Sequence, residues 1–359
     1  MVHIFYLFYY AYNIWYSSST YMLKKIKVLY FIAPTAFLFG TLSSYLIFGT
    51  DYLHLKSKIA SSGQIREEDD SDLIEPLLLC SESSLSYQEN SLYKKVSSYI
   101  NEEIHAGKAL DISFYYRDLN SGKWTGVNES DTYAPASLLK VPTMISILKV
   151  AENRPNLLSK EIAYHGEYDE VNKGEYFQPG KQILANKNYT VYELLSYMIR
   201  YSDNRATELL LNTFGEKNIS KVHLDLQLAV PPQSATNGTV DYMSARDYAR
   251  LFRVLYNATY LNREYSLKAL NLLIDPDFPE GIAAGVDPAI KVANKFGERT
   301  VNNVDGTIDH RELHDCGIVY RAHDPYLLCI MTKGQDFEAL TAIIKEISAI
   351  SYREDSSKW

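Results

Sequence analysis

Ser137 and Lys140 stand three residues apart, a spacing that can make an acylating nucleophile. A serine hydroxyl attacks poorly until a neighbouring base takes its proton. Lysine can be that base only if burial or nearby cations lower its pKa. Three residues apart on a helix, the two side chains face one direction. A helix N-terminus also favours negative charge developing at the serine. Two further motifs follow in order, Ser202-Asp-Asn204 and Lys295-Phe-Gly297. Lys295, delivered by a strand, is a cation of the kind that depresses a neighbouring lysine. Each motif is weak alone. Ser91-Leu-Tyr-Lys94 repeats the serine–lysine pattern at the start of another helix, with no partners in order. Ser202 to Asn204 reads equally well as a plain polar turn. The ordered set of three favours a site.

These residues need elements to carry them. Leu92, Val96, Tyr99 and Ile100 recur at helical spacing, so a first helix runs to about His105. Residues 110–116 alternate as a strand, 118–122 turn, and 123–127 pair back as a hairpin. Ser137 opens the next helix, with Leu138, Val141, Ile145 and Leu148 on one face and Pro142 tolerated near its start. Thr190-Val-Tyr-Glu193 is a capping box before Leu194, Leu195, Met198 and Ile199. That helix ends at the Ser202–Asn204 turn, and residues 205–214 form another that stops at Gly215. Ser244 caps a helix with Leu251, Phe252 and Leu255 inward. Strand-like runs cover 290–295, 316–320 and 326–332, and a helix closes the chain from Ala339 to about Ile350.

Two early strands and three late ones can join in one antiparallel sheet of five, flanked by helices. The middle helices then form an all-helical lobe, with the site in the cleft between. The fold class is α/β of the α+β type, preceded by an N-terminal transmembrane helix.

The chain has 359 residues, 46% hydrophobic and 22% charged, enough for one large globular domain. Its net charge of −8 argues against a nucleic-acid surface. Residues 28–48 carry no charge and are long enough to span a bilayer, behind Lys24, Lys25 and Lys27. We expect an uncleaved single-pass anchor over 22–48, with the catalytic domain outside the cell membrane. Residues 1–21 are an aromatic-rich extension, and Met22 reads as the initiator. A polar tether is expected over 49–88 and the catalytic domain over 89–353.

No metal-ligand spacing occurs, so no metal or other cofactor is expected. If Tyr320 faces Pro325 across a hairpin, Cys316 faces Cys329. A cross-strand disulfide is one reading, and two reduced core cysteines the simpler one.

From about Leu92 to Ile350 the chain resembles the class A β-lactamase-like domain of the penicillin-recognising serine hydrolases. The resemblance rests on the three motifs and their settings, Tyr201-Ser-Asp-Asn-Arg-Ala206 and Val292-Ala-Asn-Lys-Phe-Gly297, followed by Asp315-Cys-Gly-Ile-Val-Tyr320. It implies that Ser137 is acylated and that Lys140 accepts its proton. Ser202 would relay a proton to the leaving nitrogen, and Asn204 would hold the substrate's amide. Lys295 would steer a carboxylate. Gly297 would let substrate lie against the strand, and the N–H groups of Ser137 and Glu298 would form the oxyanion hole. The substrate would be a β-lactam or a related cell-wall peptide.

The chain departs from that pattern twice. Phe296 stands where the family offers a hydroxyl to the substrate's carboxylate, and Arg299 or Arg311 could substitute. No glutamate occurs in residues 227–241, where the family's deacylating base resides; Asp241 is the one acid there. Slow deacylation suits a D,D-peptidase-like enzyme or a non-hydrolysing penicillin-binding sensor as well as a β-lactamase. Residues 298–314 read as a long connection carrying His310, Arg311, Glu312 and His314, either a solvated tip or the source of another base.

Overall fold

The early hairpin and the late strands meet in one sheet, as their alternation requires. The computed structural model describes residues 64–66, 71–80, 87–230, 240–274 and 276–354. The extension and anchor expected over 1–48 lie outside the described residues. Among the described residues no helix is long and apolar enough to cross a membrane.

In chain order the elements begin with β1 (Gln64–Arg66), β2 (Leu77–Cys80), α1 (Ser91–His105), β3 (Asp111–Asp118), β4 (Trp124–Val127) and β5 (Thr132–Tyr133). A 3-10 turn over Ala136–Leu139 leads into α2 (Lys140–Ala151). Next come β6 (Glu161–Tyr164), β7 (Lys187–Thr190), α3 (Val191–Arg200), α4 (Asn204–Phe214) and α5 (Glu216–Asp225). The chain continues through β8 (Met243–Ser244), α6 (Ala245–Tyr256), α7 (Arg263–Leu273), β9 (Val292–Asn302), β10 (Ile308–Val319), β11 (Tyr326–Gly334) and α8 (Phe337–Arg353). The main sheet runs β4-β3-β11-β10-β9, antiparallel throughout.

Helices cover both faces of the sheet, and each face has its own core. On one side α1 and α8 bury Leu92, Val96, Ile100, Leu340, Ile344 and Ile347. On the other, α2, α3, α6 and α7 pack together around Met144, Leu148, Leu195, Phe252 and Leu270. The expected capping signals act as read. Thr190 and Glu193 form a reciprocal capping box, and the Ser244 side chain accepts from the Asp247 N–H. Gly215 ends α4 at φ 72°, a conformation that suits glycine.

Three expectations about the elements need correction. The helix after Ser137 is buried on more than the one face read from Leu138, Val141, Ile145 and Leu148: ten of the twelve residues of α2 are buried, because it runs through the middle of the helical lobe. The segment read as a tether is packed on the domain near its end. Leu73 and Ile74 bury into the helical core, and Arg66 donates to the carbonyls of Glu75 and Leu119 and to Asn257 Oδ1. Residues 298–314 are not a long overhanging connection. β9 and β10 continue as paired strands to Asn302 and Ile308, leaving only a short turn. Polar residues such as Arg299 and Glu312 hid this, because their charges pair with one another between strands.

Cys316 faces Cys329 across β10 and β11, as the hairpin register predicts, and the two are joined in a disulfide, not reduced. A closed loop of about 15 residues stabilises a fold by about 3 kcal/mol. Replacing both cysteines by serine is expected to cost about that much, read from urea midpoints under non-reducing conditions. An unchanged midpoint would show that the bond is absent in solution.

Candidate active site

Ser137 lies on the 3-10 turn rather than on the α-helix proper. In 3-10 geometry residues three apart eclipse one another. The turn therefore stacks Lys140 directly beneath Ser137, and Lys140 Nζ lies 2.8 Å from Ser137 Oγ. Ala136 just before it has φ 48°, a left-handed backbone that a non-glycine residue adopts at a cost. The Tyr248 hydroxyl donates to the Leu138 carbonyl at 2.8 Å and braces the turn.

The second motif supplies the other walls. Lys140 Nζ also donates to the Ser202 carbonyl at 2.7 Å and to Asn204 Oδ1 at 2.6 Å, and it stands 2.9 Å from Ser202 Oγ. Ser202 is held at φ 55°, which aims its carbonyl and hydroxyl at one amine. Asp203 points the other way and is fully buried. Its carboxylate caps α4 and accepts from Arg205 N, Ile183 N and Asn172 Nδ2.

From the sheet, Lys295 Nζ donates to Ser202 Oγ at 3.0 Å and to the Phe296 carbonyl at 2.8 Å. Ser202 Oγ therefore sits between two amines. Burial lowers the Lys140 pKa to about 8, although the carboxylates of Glu175, Asp203, Glu298 and Glu208 oppose the shift. Burial, and then the charge of Lys140, push Lys295 well below the usual lysine range. Behind Lys295, burial raises Asp315 to about 6, and it accepts from Asn294 Nδ2 and Ile282 N.

Gly297 has a further reason to be glycine. A Cβ there would come within 2.9 Å of the Pro135 carbonyl and 3.0 Å of Leu138 N. The bare strand makes room for the turn that carries Ser137, not for substrate alone.

Phe296 is nearly buried and stacks on Phe278 with centroids 4.3 Å apart. It belongs to the α8-side core and not to a polar subsite. Arg299 turns to the buried Glu312 at 3.8 Å, and Arg311 donates to the Gln335 carbonyl and lies over the Phe337 ring. Glu312 is enclosed by Arg299, His310 and Lys333, at 3.8, 3.8 and 3.4 Å, and His314 is buried with Nε2 3.0 Å from the Ala134 carbonyl. Asp241 pairs with Lys333 at 2.7 Å.

The sequence reading passed over Glu175 altogether. Its Oε1 accepts from Asn204 Nδ2 at 2.7 Å, and its carboxyl acts on that of Glu298. Burial raises Glu298 to about 7, and the negative charge of Glu175 adds to the shift. Glu298 Oε2 and Oε1 accept from the N–H groups of Tyr176 and Phe177 at 3.0 and 2.7 Å. A lone Glu in a loop between a glycine and two aromatics gives no periodic or motif signal, and only the tertiary fold brings it here.

A nucleophile stacked on a buried amine, a shared serine hydroxyl and a second buried amine on an edge strand define a penicillin-recognising serine β-lactamase-like fold. The family profile described as the beta-lactamase enzyme family matches residues 95–354. The chain belongs to that family. A β-lactamase of Streptomyces albus G is 30% identical over 105 residues, 29% of this chain, and the chain spans 33% of that relative's length. Among solved structures, PBP-A superposes with a TM-score of 0.61 at 18% identity, covering 75% of this chain and 96% of its own. The class A β-lactamase of Mycobacterium abscessus superposes at 0.58 with 19% identity, covering 72% of this chain and 98% of its own.

Proposed function

We propose that this protein is a membrane-anchored, extracytoplasmic serine hydrolase that works through an acyl-enzyme on Ser137. The observation carrying the reading is the 2.8 Å contact of Ser137 Oγ with a lysine whose pKa burial has lowered to about 8. Lys140 takes the hydroxyl proton as Oγ bonds to the acyl carbon, and the N–H groups of Ser137 and Glu298 hold the developing oxyanion. The carbon–nitrogen bond then breaks, and Ser202 passes a proton to the departing nitrogen. Lys295 and Lys140 on either side of Ser202 Oγ support that transfer. The substrate is a β-lactam or a related cell-wall amide. A variant of the structural neighbour PBP-A was solved as an acyl-enzyme with penicillin G. The anchor is the uncharged run 28–48 behind its lysines.

A D,D-peptidase-like or sensor role is the second reading. What favours it is the stretch where a deacylating base would lie: its one acid, Asp241, is committed to Lys333. Membranes bearing the full chain would be incubated with a panel of β-lactams and an activated thioester, and the protein analysed by intact mass, with Ser137→Ala as control. A Ser137 adduct in the membrane fraction is expected. A lasting adduct favours the peptidase or sensor, and turnover without accumulation favours a β-lactamase. Neither adduct nor turnover with any compound sinks the proposal.

A further inference from the structure

Residues 172–178 cross the cleft and are tied down on both banks. On the helical side Asn172 Nδ2 donates to Asp203 Oδ1 at 2.8 Å, Asn172 Oδ1 accepts from Asn204 N at 2.9 Å, and Glu175 accepts from Asn204 Nδ2. On the sheet side the Tyr176 and Phe177 N–H groups bond Glu298, which belongs to β9. The Phe177 ring joins Phe278, Phe296 and Phe337 at centroid distances of 4.9, 5.9 and 5.7 Å. The departure at Phe296 thus has a structural partner: its ring helps form the platform on which this strap docks.

Resting on the acyl-transfer reading above, we propose that Glu175, Phe177 and Phe296 set substrate specificity by closing the cleft to acyl donors with a carboxylate beside the scissile bond. A carboxylate steered towards Lys295 meets an apolar ring at Phe296 rather than a hydroxyl, and the charge of Glu175, which acts on Lys295 and Lys140 alike, opposes it. Like charges set against each other are strongly unfavourable where water is scarce. Neither guanidinium near the end of β9 is free to compensate, since Arg299 faces Glu312 and Arg311 bonds Gln335. The two lysines of the site are engaged as well, Lys295 with Ser202 Oγ and the Phe296 carbonyl, and Lys140 with the Ser202 carbonyl and Asn204 Oδ1. The substrates that fit are neutral or cationic at that position, and can themselves donate a hydrogen bond to Glu175.

The test compares benzylpenicillin with its methyl ester on the full chain. The rate of Ser137 labelling is read by intact mass and divided by each compound's own rate of opening by hydroxide. The ester is expected to label at least about 10-fold faster. Glu175→Gln, which keeps shape and removes charge, is expected to bring that ratio towards one, and Phe177→Ala to do so in part. If the free acid labels as fast as the ester, the proposal is overturned while the acyl-transfer reading stands. If the ester is preferred but Glu175→Gln leaves the ratio untouched, the assignment to Glu175 fails. Labelling by the thioester but by neither penicillin overturns the proposal alone. No labelling by any of the three overturns both.

Discussion

Lys140→Met is expected to slow acylation of Ser137 by about 1,000-fold, within the range a positioned general base supplies. Methionine keeps the unbranched length and fills the same space, so α2 should stay packed. What is lost is the amine 2.8 Å from Ser137 Oγ. The pH dependence provides an independent signature. Lysine serves as a base only without its extra proton, and burial sets its pKa at about 8. Acylation by the native protein should therefore rise as pH climbs through about 8 and level off above. In Lys140→Met that rise should vanish and leave a residual rate of different profile. Labelling rates followed by stopped mass measurement between pH 6 and 10 decide the matter (the range is roughly two units either side of the titration). A variant that keeps both the rate and the rise would show that another group takes the proton.

Asp203→Ala should have the largest effect on stability, about 4 kcal/mol. The side chain is fully buried and accepts from two backbone N–H groups and the Asn172 amide. Alanine would leave three donors without an acceptor, two of them in buried bonds and each of those costing about 1–3 kcal/mol if unrelieved, and would remove an N-cap. Asp203→Asn retains one acceptor oxygen and should lose about half as much. Urea unfolding of both variants gives the comparison. A loss under about 1 kcal/mol for Asp203→Ala would mean that water replaces the carboxylate at this turn. The motif residue that faces away from Ser137 would then be dispensable to the fold, contrary to its bonds.

Much of this was legible in the sequence, for identifiable reasons. Helix caps are local, so Thr190, Ser244 and Gly215 announce themselves. Cross-strand register follows from one turn, so the facing of Cys316 and Cys329 could be read. The three motifs are local too, and the fold brings Ser137, Lys140, Ser202, Asn204 and Lys295 into one hydrogen-bonded cluster. What was misread is non-local. The far half of the β9–β10 pair carries charges that look solvated until Arg299, Lys333 and Glu312 are seen to neutralise one another. Phe296 reads as a lost hydroxyl until Phe177 and Phe278 are placed beside it. Glu175 carries no pattern, and only its meeting with Asn204 and Glu298 gives it meaning.

Counting hydrogens around Lys140 leads to one more consequence. The ammonium owns three, and four oxygens stand within 2.9 Å of it: Ser137 Oγ, Ser202 O, Ser202 Oγ and Asn204 Oδ1. When the amine gives one hydrogen up, its lone pair must receive one. The Ser202 carbonyl and the Asn204 oxygen have none to offer. Only the hydroxyls of Ser137 and Ser202 can, since a hydroxyl keeps its own hydrogen to give while its oxygen accepts elsewhere, as Ser202 Oγ does from Lys295 at 3.0 Å. Where Ser137 is the donor, the transfer that arms it exchanges donor for acceptor along a 2.8 Å contact already formed. The path of that proton is therefore in place before any acyl donor arrives, and the only heavy atoms left to move are those of the bond being made.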